Sequence, residues 1–72
     1  MAGKKAKHVV KLSPRELAAL EHLARGLRVP KIAEHMGIGV RSVREYLQRA
    51  QKKLDAATTA QALVIAARCQ LI

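Results

Sequence analysis

The chain contains no phenylalanine and no tryptophan, and Tyr46 is its one tyrosine. A core without large aromatics must be built from Leu, Ile, Val, Met and Ala, which suits closely packed helices better than a sheet. Cys69 is the only cysteine, so neither an intramolecular disulfide nor a thiol cluster for zinc can form. A reducing compartment is the plain expectation. No apolar run approaches the roughly 18 residues needed to cross a bilayer, and the first residues lack the apolar segment of a secretory signal. The expected location is therefore the cytoplasm, with no membrane partner.

Acidic residues are also scarce, five against fourteen Lys plus Arg, which leaves a formal charge of +9. Such an imbalance in a small chain points to a polyanionic partner. Charge alone does not choose among DNA, RNA, an anionic membrane and an acidic protein. Catalytic equipment is missing as well, since His8, His22 and His35 have no metal-ligand spacing with Cys69 or the acids. Ser42 and Tyr46 lack a partner base, and no glycine-rich phosphate loop is present. Neither an enzyme nor a cofactor is expected.

What the chain does have is helical patterning, with half of its 72 residues hydrophobic. That length allows one small domain, near the lower limit at which a core suffices without metal or disulfide. The reading is an all-α fold, a small four-helix domain with a central helix-turn-helix. Residues 1–11 carry Lys4, Lys5, Lys7, His8 and Lys11 without helical period, and are expected to form a flexible basic arm. Residues 12–72 are expected to form the domain.

Ser13-Pro14-Arg15-Glu16 is a helix start: Ser13 can cap, Pro14 suits the first helical position, and Glu16 can complete a capping box. Leu17, Leu20, Leu23, Ala24 and Leu27 follow at helical spacing, so a first helix is predicted over about Pro14 to Arg25, with Gly26 ending the run. A second helix begins near Pro30, buries Ile32, Ala33 and Met36, and stops at Gly37. Lys31 in its first turn opposes the helix dipole, a cost that a bound phosphate would reverse, which marks Lys31 as a candidate phosphate contact.

The organising stretch is Val29 to Leu54, because its second half places Val43, Leu47, Ala50 and Leu54 in one narrow sector at about 100° per residue. Arg41, Arg44, Glu45, Gln48 and Lys52 gather on the opposite side, free to meet a partner without disturbing the core. Gly37 and Gly39 flank Ile38 in the turn before it, where glycine can take positive φ and Ile38 can point inward between the helices. The competing reading of this stretch is an ordinary αα-hairpin of a bundle.

After a third helix over about Val40 to Leu54, Thr58 or Thr59 can cap a fourth over about Ala60 to Gln70. Ala62, Ile65, Ala66 and Cys69 share the side assigned to the core. The other side carries Ala60, Gln61, Val64, Ala67, Arg68 and Leu71, more apolar surface than a lone solvated helix requires. These six are the candidate interface of a homodimer, which would set two reading helices about one DNA turn apart.

Together Leu12-Ser13-Pro14-Arg15-Glu16, Gly26, Ile32-Ala33-Glu34, Ile38, Ser42-Val43-Arg44, Lys53-Leu54 and Gln61-Ala62 resemble the LuxR-type helix-turn-helix of bacterial transcription regulators, quorum-sensing regulators included. The resemblance covers Leu12 to Ile72. It implies sequence-specific binding of double-stranded DNA with the third helix in the major groove. By the same match Ser42 is a phosphate ligand, Val43 packs inside, Arg44 faces the bases and Lys53 touches the DNA backbone. Arg44 can hold guanine through O6 and N7, and Gln48 can pair with adenine. Helix position, wheel and resemblance together give the candidate contact set Lys31, Arg41, Ser42, Arg44, Glu45, Gln48, Arg49, Lys52 and Lys53.

The chain departs from the pattern at Gly39, where the family usually has a capping Ser or Thr, and at Lys31, Glu45, Tyr46 and Thr59. Full family members usually carry an N-terminal receiver or ligand-binding domain, so the chain is read either as a standalone regulator or as a domain of a longer protein. Two rivals stand beside this reading. One is promoter binding like region four of sigma factors, as a partner of RNA polymerase; the other is an interaction module that pairs with a full-length regulator.

Overall fold

The computed structural model describes residues 11–72, and all but Lys11 of the expected basic arm lies outside the described residues. Among them are four helices and no strand: α1 (Pro14–Ala24), α2 (Val29–Met36), α3 (Val40–Lys53) and α4 (Thr59–Arg68). The sequence-based boundaries hold to within two residues. Helix α3 packs against all three others, so it is the axis of the domain.

The core is the one that the periodicity of α3 requires. Val43, Ala50, Leu47 and Leu54 are buried along its inner face, where they meet Ile32 and Ala33 of α2, Ala19 and Leu20 of α1, and Ala62 and Ala66 of α4. Met36 and Ile38 pack against the edge of this cluster, so the turn residue does lock the two helices together. The buried stripe of α1 is rotated from the expected one. Ala24 is exposed and Leu17 only half-buried, whereas Ala19, Leu20 and the carboxylate residue Glu16 face inward.

All four helices end in one motif, in which the chain turns through a residue of positive φ and then folds an apolar side chain back onto the helix. Gly26, Gly37, Asp55 and Gln70 occupy the left-handed position, and Leu27, Ile38, Ala56 and Leu71 follow them. The paired hydrogen bonds of a Schellman end are present each time, as in Gly37 N to Glu34 O and Ile38 N to Ala33 O, or Gln70 N to Ala67 O and Leu71 N to Ala66 O.

The last of these turns corrects the reading of Cys69. The residue caps α4 at Arg68 and is exposed, not a small apolar group of the core. Because Gln70 at φ 59° reverses the chain, Leu71 and Ile72 return to the core edge that a longer helix would have covered with Cys69. Ile65, expected with it, is half-buried at the same edge.

The link from α3 to α4 is held by side chains. Gln51 donates from Nε2 to the carbonyls of Ala56 and Ala57 and accepts at Oε1 from the Thr59 hydroxyl at 3.3 Å. Thr58 Oγ1 accepts from Gln61 N at 3.0 Å, and Gln61 Oε1 accepts from Ala57 N. The fourth helix is thereby fixed at its start to the end of the third.

Candidate nucleic-acid interface

The inner face of α3 is fully committed to packing, so only its outer face is available. Arg41, Arg44, Glu45, Gln48, Arg49 and Lys52 are all exposed there, and Ser42 and Tyr46 are half-buried at its margin. Arg44 and Gln48 border a shallow open groove with Val29, Leu47 and Thr59, and no described segment covers them. The surface is therefore a continuous row of donors interrupted by one carboxylate, Glu45.

Within the row the side chains differ in freedom. The Arg49 guanidinium lies over the Tyr46 ring, 5.7 Å from its centroid, close enough for a cation–π contact that restrains the arginine. Lys31, on α2, pairs with Glu34 at 3.3 Å, both side chains being more than half exposed. An exposed pair at this spacing stabilises by only about 0.3 to 0.5 kcal/mol, so an incoming phosphate can replace the carboxylate at little cost.

Lys53 has a different setting from its neighbours. Its ammonium donates to Glu16 Oε1 at 2.8 Å and to the Lys11 carbonyl at 3.4 Å, on the α1 side of α3. Glu16 is the one buried charged residue among the described residues, at 3% exposure, and its Oε1 also accepts from Ser13 N at 2.9 Å as half of the capping box. Burial pushes the Glu16 carboxyl up, but the hydrogen bonds from Lys53 and Ser13 and the Lys53 charge outweigh it and hold the pKa below the usual value. The stabilisation is thus present at neutral pH, and is lost as pH falls through the lowered folded-state value.

Sequence reading assigned Glu16 to the cap and Lys53 to DNA, and did not join them. A signal was there: Glu16 stands three and four residues before Ala19 and Leu20, on the inward face of α1, where a carboxylate needs a counter-charge. The Tyr46 and Arg49 pair was also missed, though their spacing of three on a helix brings them together. On α4, Ala60, Gln61, Val64, Ala67 and Arg68 are exposed as expected, with Val64 half exposed, while Leu71 is half-buried against the core.

Two helices at a glycine turn, the second offering a polar face opposite its packed one, define a helix-turn-helix domain. The family follows from comparison. Residues 10–66 match the model of the luxR family of bacterial regulatory proteins, and the chain belongs to that family. It is 39% identical over 61 residues to the transcriptional activator protein RaiR of Rhizobium etli, covering 85% of this chain and 25% of that protein. It is 42% identical over 62 residues to the HTH-type transcriptional activator RamA of Corynebacterium glutamicum, covering 86% of this chain and 22% of that protein. The chain thus spans about a quarter of the length of the curated relatives it matches. None of the described helices is long and apolar enough to cross a membrane.

Proposed function

We propose that this domain binds double-stranded DNA in a sequence-specific manner, with α3 inserted in the major groove, and serves transcription regulation as its relatives' names indicate. The observation that carries the reading is the division of α3 into a fully packed face and a face of exposed Arg41, Arg44, Glu45, Gln48, Arg49 and Lys52. Arg44 and Gln48 are the base-reading residues, with bidentate donors suited to guanine and an amide suited to adenine. Lys31, Ser42, Arg49 and Lys52 hold phosphates and set the register. Glu45 accepts from a cytosine amine and discriminates by repelling other placements.

The working unit is a homodimer through α4, in which Ala60, Val64, Ala67 and Arg68 form the centre and Gln61 and Leu71 the edge. Support comes from the exposure of Val64 at 50% on a helix whose other face is filled by Ala62 and Ala66. Selection of binding sites from random duplex DNA at physiological salt tests the proposal. Enrichment of two inverted half-sites is the expected result, and recovery of no sequence preference would refute base reading. Val64→Asp is expected to weaken binding to the selected two-half-site duplex while sparing a single half-site. Unchanged affinity of the variant for the two-half-site duplex, with a monomeric wild type in sedimentation, would remove the dimer and leave the α4 surface to a full-length regulator or to RNA polymerase.

A further inference from the structure

We infer that Lys53 is not a phosphate ligand but a positioning residue, which with Glu16 forms a strut that sets the angle of the reading helix α3 against α1. This inference rests on the DNA-binding reading above and deepens it, because it removes one cation from the contact surface and gives it a different task.

The geometry carries the assignment. Glu16 and Lys53 are 37 residues apart in sequence, yet their side chains meet at 2.8 Å, joining the first turn of α1 to the last turn of α3. Two of the three N–H groups of the ammonium are spent on Glu16 Oε1 and on the Lys11 carbonyl. Moving the ammonium, whose side chain is itself 42% exposed, onto a phosphate would leave the nearly buried Glu16 carboxylate without its counter-charge. Lys52 has no such obligation and is exposed one position earlier, about 100° around the helix on the outer face. The contrast with Lys31 is equally sharp, since the carboxylate that Lys31 would abandon is itself exposed to water.

The strut also has a lever. It acts at the end of α3 farthest from the α2 turn, so a loss there lets the helix pivot about the packed Ile32 and Val43 and shifts Gln48 and Lys52 relative to the bases. Discrimination between sequences falls in that case, whereas attraction to the phosphate backbone does not.

The two roles give opposite signatures in binding to the selected duplex and to a random one, measured over a range of salt with wild type, Lys52→Ala, Lys53→Ala and Glu16→Gln. Glutamine keeps the capping bond to Ser13 N and removes only the charge, and circular dichroism at the binding temperature establishes that each variant is folded. Lys52→Ala is expected to weaken both duplexes and to flatten the salt dependence by about 0.9 in slope, the signature of one phosphate contact. Lys53→Ala and Glu16→Gln are each expected to lose roughly tenfold on the selected duplex, with the random-duplex affinity and the salt slope unchanged, and the double variant to lose no more than either alone.

If Lys53→Ala instead weakens both duplexes alike and flattens the slope as Lys52→Ala does, or if Glu16→Gln leaves discrimination intact, the strut is overturned while DNA binding stands. Failure of the wild type to bind any duplex would overturn both.

Discussion

The two helices that frame the domain and the two that form the helix-turn-helix begin in different ways. Ser13 caps α1 with a complete capping box, and Thr58 caps α4 through Gln61 N. Arg28 and Gly39, at the corresponding positions of α2 and α3, make no side-chain cap, and neither helix has an acidic residue in its first turn. Helices α1 and α4 are therefore specified in good part by their own sequence, while α2 and α3 are held by what they bury. The uncapped starts also leave amide N–H groups and the positive ends of two helix dipoles free beside Lys31 and Arg41, where the proposed partner is a phosphate backbone.

If packing rather than capping holds the helix-turn-helix, its core positions should be the most sensitive in the chain. Leu47→Ala, at a site only 6% exposed, is expected to cost about 2 to 5 kcal/mol in urea unfolding. A cost below that of a lost cap would break the contrast. The exposed face of the same helix should behave in the opposite manner. Arg44→Ala is expected to change stability by less than about 0.5 kcal/mol and to cost about 1 to 3 kcal/mol in affinity for the selected duplex, with relaxed preference at one base pair. Equal losses on selected and random duplexes would show that Arg44 only holds phosphate.

Smaller effects sharpen the comparison at the helix starts. Ser13→Ala and Thr58→Ala should each cost about 1 kcal/mol of stability, because each removes the acceptor of an N-terminal amide. Gly39→Ser, by contrast, should gain only a few tenths of a kcal/mol. A serine fits there without strain, since φ at Gly39 is −80° and an added Cβ meets nothing within 4 Å. A gain as large as the loss at Ser13 would mean that the start of α3 is as dependent on local capping as that of α1.

Most of the fold was legible in the sequence because the local rules and the packing agree. Pro14, Pro30, Gly26 and Gly37 punctuate the chain where the helices begin and end, and the inner face of α3 is the predicted set of Val43, Leu47, Ala50 and Leu54. The end of α4 was not legible, because a left-handed turn at Gln70 has no glycine or asparagine to announce it. Asp55 makes the same turn after α3 for the same reason unannounced. In the candidate site the outward row from Arg41 to Lys52 could be read from periodicity. The use of Lys53 could not, since it depends on a carboxylate 37 residues away whose burial is set by the packing of α1 on α3.

The central claim is that the outer face of α3 is the surface that meets DNA, and amide chemical-shift mapping of the labelled domain during titration with a duplex tests it most directly. The account predicts the largest changes at Arg41, Ser42, Arg44, Glu45, Gln48 and Lys52, with further changes at the start of α2 around Lys31. Changes confined to α4 or to the C-terminal end of α1, with α3 unmoved, would contradict it.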